Sequence, residues 1–138
     1  MPNGIDLILA DHRAVEERFE AFDASQDGAV IGQVLDMLTG HDDAEHGALY
    51  PFALDLLGGG DVFDRSLVAH SAVKQQMDHL KTLEGPPLAE SFAVLRQLVA
   101  DHVQDEEQNL LPTLAEAASD AELDTLGARI LQAKQRGG

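Results

Sequence analysis

The sequence has no cysteine, no tryptophan and a single tyrosine, and it sets only 9 lysines and arginines against 25 aspartates and glutamates. Each shortage removes a class of function. Without cysteine there is no disulfide framework, no thiolate zinc site and no thiol nucleophile. Aromatics at 4% are too few for a typical β-rich fold. A formal charge of -16 repels phosphate backbones and anionic membranes, so neither nucleic acid nor membrane is an expected partner. No apolar run reaches the length of a membrane span, and the start, MPNGIDLILADHRAV, has no charged region ahead of a long apolar stretch. A soluble, cytoplasmic protein is expected, and the acidic surface favours a monomer or a weak dimer.

What is present reads as helix. The 138 residues suit one domain spanning the chain, rich in Ala, Leu, Glu and Gln. Apolar residues recur at helical spacing near 5–22, 29–57, 62–83 and 88–117, separated by the turn-forming stretches DASQDG, LGGGD and EGPP. Asn3 with Asp6 reads as a capping pair, Asp61 as the cap of the third helix, and Pro86 with Pro87 as the lead-in to the fourth. Short connections between long helices predict an all-α, antiparallel up-down-up-down four-helix bundle over about 5–117. The capping box SDAE, Ser119 to Glu122, starts a short C-terminal fifth helix over about 120–135, whose tail RILQAKQRGG frays or packs on the outside.

One motif is written twice. HDDAEHGALYP runs from His41 to Pro51, and sixty-one residues later HVQDEEQNLLP runs from His102 to Pro112. They agree at His, at Glu four places on, at Leu eight places on and at Pro ten places on. HRAVE from His12 and HSAVK from His70 repeat in the same order on the helices before them. The chain is thus two copies of a helical hairpin, each with a His on its first helix and a His-x-x-x-Glu on its second.

Residues four apart share a helix face, so His41 with Glu45 and His102 with Glu106 each aim an imidazole and a carboxylate at one point. With His12 and His70 they converge in the bundle core. Four imidazoles and two carboxylates suit iron better than magnesium or calcium, which prefer oxygen alone. Six donors exceed a tetrahedral zinc site, whereas two six-coordinate ions are served if Glu45 and Glu106 bridge them together with an oxo or hydroxo group. A single His would ordinarily be a surface or hydrogen-bonded core residue. The full set is different, because so many buried polar groups without a metal would be left unpaired.

These residues resemble the hemerythrin-like family, the HHE cation-binding domains, over roughly residues 5–117. His12 matches the ligand of the family's first helix, His41 and Glu45 the second-helix pair, His70 the third-helix ligand, and His102 with Glu106 the fourth-helix pair. Leu49-Tyr50-Pro51 and Leu110-Leu111-Pro112 match the helix endings. Lys74 departs from the pattern: oxygen carriers place a second third-helix His there, and an ammonium cannot bind a metal. The pattern is most similar to mycobacterial hemerythrin-like proteins. That resemblance implies two iron ions, catalase-like decomposition of hydrogen peroxide and binding of nitric oxide. The alternatives are an oxygen or nitric oxide sensor or carrier without turnover, with dioxygen as its ligand, and an iron-sensing module.

Tyr50 is a candidate for the missing ligand. On an ideal helix it points about 140° away from Glu45. Pro51 cannot donate to the Gly47 carbonyl, and a kink or π-bulge there would swing Tyr50 onto the Glu45 face. The alternative is an aromatic plug at the bundle end; the resemblance, in which a tyrosine ligand occurs, favours ligation. Asp42 is read as a solvated residue able to reach a metal or orient His12. His46 and His79 are read as surface. Lys74 either faces the site as a proton donor or pairs with Asp78.

Overall fold

Every long helix buries one stripe, and in four of them the stripe runs straight through a histidine. On α1 (Gly4–Ser25) it is Ile8, His12, Val15, Phe19 and Phe22; on α2 (Gly28–Ala44) it includes Val34, Leu38, His41 and Ala44. On α4 (Asp61–Leu80) it is Phe63, Ser66, His70, Val73, Met77 and Leu80; on α5 (Pro86–Asp105) it is Phe92, Leu95, Val99 and His102. Steps of three and four keep these positions on one side of a 3.6-residue turn. The computed structural model describes residues 3–137, with side chains through 135.

Two of the rods change pitch midway. After α2 a π turn, Glu45–Leu49, leads into α3 (Tyr50–Leu57); after α5 a second π turn, Glu106–Leu110, leads into α6 (Leu111–Ala117). In each, the N–H of the residue before the proline bonds back five places, Tyr50 to the Glu45 carbonyl and Leu111 to that of Glu106. Pro51 and Pro112 follow, where no N–H is available for the ordinary ladder. The bulge expected beside Pro51 is present. Its twin beside Pro112 was not anticipated, although the repeated proline carried the signal.

Asn3 caps α1, its Oδ1 accepting from the Ile5 N–H at 2.8 Å. Asp61 does not cap α4: Gly60 holds that place with φ 116°, and Asp61 is the first helical residue, where its charge suits the helix N-terminus. Pro86 and Pro87 open α5 from inside, where a missing N–H is harmless. α4 ends at Leu80, earlier than the 83 expected, in a turn closed by Thr82 and Leu83.

The rods pack as an antiparallel bundle, and no strand occurs among the described residues. Two apolar clusters fill it, one around Phe19, Leu38, Leu80, Phe92 and Leu95, the other around Ile8, Leu49, Phe63, Leu110 and Leu114. The polar residues lie between them. Each fully buried Leu contributes about 1.5–3 kcal/mol.

The fifth helix, α7 (Asp120–Gly137), starts with the expected capping box: Glu122 N–H donates to Ser119 Oγ at 3.1 Å and Ser119 N–H to Glu122 Oε1 at 2.9 Å. Of the two expected outcomes it takes the second and packs on the bundle. Leu123, Leu126, Ile130 and Ala133 are buried against α1, α2 and the first π turn. The contact is close because glycines face it: a Cβ on Gly4 would lie 2.4 Å from Leu126 Cγ, and one on Gly47 3.0 Å from Ala133 Cβ. The last residue of the tail lies outside the described residues.

Candidate metal centre

Between the two apolar clusters, His12, His41, His70 and His102 come together with Glu45 and Glu106, and both glutamates are fully buried. Each helix delivers its histidine because that histidine occupies a core position of its stripe. The imidazoles form two pairs, His12 with His41 at 5.0 Å between ring centres and His70 with His102 at 5.7 Å.

The carboxylates divide their oxygens between these pairs. Glu106 Oε1 lies 3.3 Å from His12 Nε2, and Glu45 Oε1 touches His41 Nε2. On the other side Glu45 Oε2 lies 3.6 Å from His70 Nδ1 and 3.7 Å from His102 Nε2, while Glu106 Oε2 lies 3.3 Å from His102 Nε2. The result is two adjoining donor groups, His12, His41, Glu45 and Glu106 in one and Glu45, His70 and His102 in the other, with Asp42, His46 and His70 forming a third at the edge.

Most of these atoms are close without being hydrogen-bonded. His12 Nε2, His41 Nε2, both Glu45 oxygens, both His102 nitrogens and Glu106 Oε1 are buried with no hydrogen-bond partner among the described residues. Such a cluster would be strongly destabilising by itself, since each unpaired buried polar group costs about 1–3 kcal/mol. Nitrogen and carboxylate donors aimed inward fit transition-metal cations, which take one nitrogen of each imidazole together with the carboxylate oxygens.

Three of the histidines are held from behind, His70 by Asp42 at Nε2 and two others by acids next to the motif. His12 Nδ1 is 2.8 Å from Glu107 Oε2, and His41 Nδ1 is 3.1 Å from Asp11 Oδ2. Neither carboxylate was picked out from the sequence; Asp11 precedes His12 and Glu107 follows Glu106, so adjacency to the motif was the available signal. Ser66 was missed as well. It is buried, and its hydroxyl donates to Glu106 Oε2 at 3.3 Å. Its place four residues before His70, on the same stripe, marked it.

Tyr50 is buried, its hydroxyl 3.4 Å from Glu106 Oε2 and 3.3 Å from Ser66 Oγ, and its ring meets His70 edge-on at 5.4 Å. Asp42 contacts His70 Nε2 and not His12, and it is only 20% exposed. His46 is half exposed, yet its ring packs on His70 at 4.5 Å, so it borders the site. His79 is exposed away from it. Lys74 is exposed and lines the cavity over the histidines, with Nζ 4.0 Å from Asp42 Oδ2; Asp78 pairs with Lys81 instead.

The charges follow from this crowding. Burial disfavours a charged His41, but Glu45 and Asp11 outweigh it and raise its pKa to about 10. Burial likewise opposes ionisation of Glu45, which His41, His102 and His70 nevertheless hold well below the usual carboxylate range. Glu106 is pushed up by burial and by the Glu45 charge, and the Tyr50 phenol is pushed up by burial and by both carboxylates.

Residues 3–114 match the family model of the hemerythrin HHE cation-binding domain. The chain belongs to this family. The HHE fold is also found in a solved structure, the hemerythrin HHE cation-binding domain-containing protein of Mycobacterium kansasii described as an Rv2633c homologue. It shares 18% identity and a TM-score of 0.81, with 99% of this chain and 88% of that one covered. A DNA nickase from Nostoc sp. (strain PCC 7120 / SAG 25.82 / UTEX 2576) is 27% identical over 140 residues, which takes in 95% of this HHE chain and 39% of that protein. The chain therefore spans about two fifths of the length of that relative. No helix among the described residues of the HHE chain is long and apolar enough to cross a membrane.

Proposed function

We propose that the domain holds two iron ions joined by an oxo or hydroxo bridge, disproportionates hydrogen peroxide in a catalase-like reaction, and also binds nitric oxide. The observation that carries this reading is the division of Glu45 and Glu106, each turning one oxygen to either histidine pair. His12 and His41 would hold one ion, His70, His102 and Tyr50 the other, and the two glutamates both. Bound iron would supply the change of oxidation state that no side chain here can provide.

The side chains supply access and protons. A cavity of about 30 Å³ lies over the histidines, walled by Val15, Leu38, Val73, Met77 and Val99. That is room for one or two water-sized molecules, which suits peroxide and diatomic gases. When two hydrogen peroxide molecules give two waters and one dioxygen, the two protons leaving one peroxide end on the oxygens of the other. Lys74 beside Asp42 at the cavity, and Tyr50 with Ser66 beside Glu106, are the groups in reach of such transfers.

The same small apolar cavity also favours a second reading, reversible binding of oxygen or nitric oxide without turnover. An oxygen electrode separates the two. Iron-loaded protein that releases oxygen from peroxide, with the release lost in Glu45→Ala, supports the enzyme. No release, with a spectrum that changes reversibly under oxygen or nitric oxide, sinks it in favour of a sensor or carrier. DNA nicking is not carried over from the Nostoc relative, because 25 acidic against 9 basic side chains repel a phosphate backbone.

A further inference from the structure

Asp11 stands between the C-terminal helix and the donor cluster. Its Oδ2 accepts from His41 Nδ1 at 3.1 Å, and its Oδ1 takes the ammonium of Lys134 on α7. His41 Nε2 in turn touches Glu45 Oε1. A chain of contacts, Lys134, Asp11, His41, Glu45, thus runs from α7 to the middle of the bundle. Lys134 is two-thirds buried, which is unusual for an ammonium without a specific partner.

The residue before it strengthens the case. Ala133 packs on Gly47, two places after Glu45 in the first π turn, so closely that no larger residue than glycine fits there unchanged. α7 therefore reaches the Glu45 segment through Ala133 and the His41 ring through Lys134 and Asp11. All of α7 lies beyond residues 3–114, the part that matches the family model.

We propose that Lys134 and Asp11 are positioning residues that make α7 part of the metal centre and tune only the half built on His41. Asp11 holds the proton on His41 Nδ1, leaving the Nε2 lone pair inward for a cation, and Lys134 fixes the Asp11 carboxylate in that pose. Among the described residues Asp11 bonds to His41 and to no imidazole of the His70 and His102 pair, so the effect falls on the ion that His41 would hold. The inference rests on the two-iron reading above. Its competitor is an ion pair that merely docks a helix, which would contribute little.

The test is release of iron. Wild type, Lys134→Met, Lys134→Arg and Asp11→Asn are loaded anaerobically with ferrous iron, and transfer to a ferrous chelator is followed by absorbance. The expected result is that Lys134→Met and Asp11→Asn lose one of two irons roughly 10- to 100-fold faster, the typical effect of removing a ligand's hydrogen-bond partner. The second iron keeps its rate, Lys134→Arg restores the first, and the metal-free unfolding midpoint of Lys134→Met stays near wild type. Two irons leaving both variants at wild-type rates overturn the inference alone. Both irons accelerated together, with a lowered metal-free midpoint, overturn it in favour of a docking pair. Fewer than two irons in wild type overturn the two-iron reading and this inference with it.

Discussion

The Tyr50 hydroxyl donates to Glu106 Oε2 over 3.4 Å, across fifty-six positions of sequence and from one hairpin copy to the other. It can do so only because Tyr50 ends the first π turn, which rotates it from the far side of the rod onto the face of Glu45. Replacing Tyr50 by Phe keeps the ring and removes the oxygen. The metal-free protein should then lose about 1 kcal/mol or less, the worth of one hydrogen bond, by denaturant unfolding. The ferric protein should lose a visible phenolate absorption band if Tyr50 binds iron; an unchanged visible spectrum would return Tyr50 to the role of an aromatic plug.

Metal removal is expected to lower stability without dissolving the fold. The unpartnered nitrogens and oxygens aimed into the centre would gain partners from a cation, whereas the two apolar clusters do not depend on one. Chelation should therefore lower the unfolding free energy, by about 4 kcal/mol where free metal had exceeded its Kd a thousandfold. Far-ultraviolet circular dichroism should keep nearly all its helix signal. A large loss of helix on chelation would favour an iron-sensing module instead.

Metal uptake should release protons. His41 in the metal-free protein titrates at about 10, so near pH 7 its ring carries a proton that a cation must displace. Calorimetry in two buffers of different ionisation enthalpy should show net proton release, and affinity should rise with pH. The linkage has a second consequence. Because the folded pKa lies above the ordinary 6.5, the stabilisation from His41 is complete below about 6.5 and is lost as pH climbs through about 10. Metal-free protein should weaken over that window and metal-loaded protein should not; a flat metal-free profile contradicts the assignment.

The docking of α7 is open to direct test through Leu126, which is fully buried against Gly4. Leu126→Ala should destabilise by about 2–5 kcal/mol, as for other large-to-small core changes. Gly4→Ala meets the same side chain from the opposite direction and should cost about 1–3 kcal/mol through overpacking. Chemical denaturation of both variants measures this, and neutral values would mean that α7 rides on the bundle without supporting it.

Much of the centre was legible because it is local. His41 and Glu45, or His102 and Glu106, lie one turn apart, so spacing alone put each pair on one face, and the stripes they interrupt told which face was buried. The prolines at 51 and 112 marked the π turns for the same reason, though only the first was recognised. Asp42 was harder: its neighbour in sequence is His41, but its contact is His70, twenty-eight residues away. Ser66 could be a helix-surface residue on composition, and only its place on the buried stripe of α4 distinguishes it.

The sequence by itself determined the helices, their antiparallel order and the twice-written donor motif, since these follow from periodicity, turn residues and chain proximity. Only the tertiary structure decided which carboxylate oxygen meets which imidazole and which acids stand behind the histidines. It also decided that the C-terminal helix reaches Asp11 behind His41. His12 meets Glu107 across ninety-five residues, and Asp11 meets Lys134 across one hundred and twenty-three. Such pairs are chosen by the packing of whole rods against one another, through glycines at 4 and 47 that let α7 close in, and no local spacing encodes them.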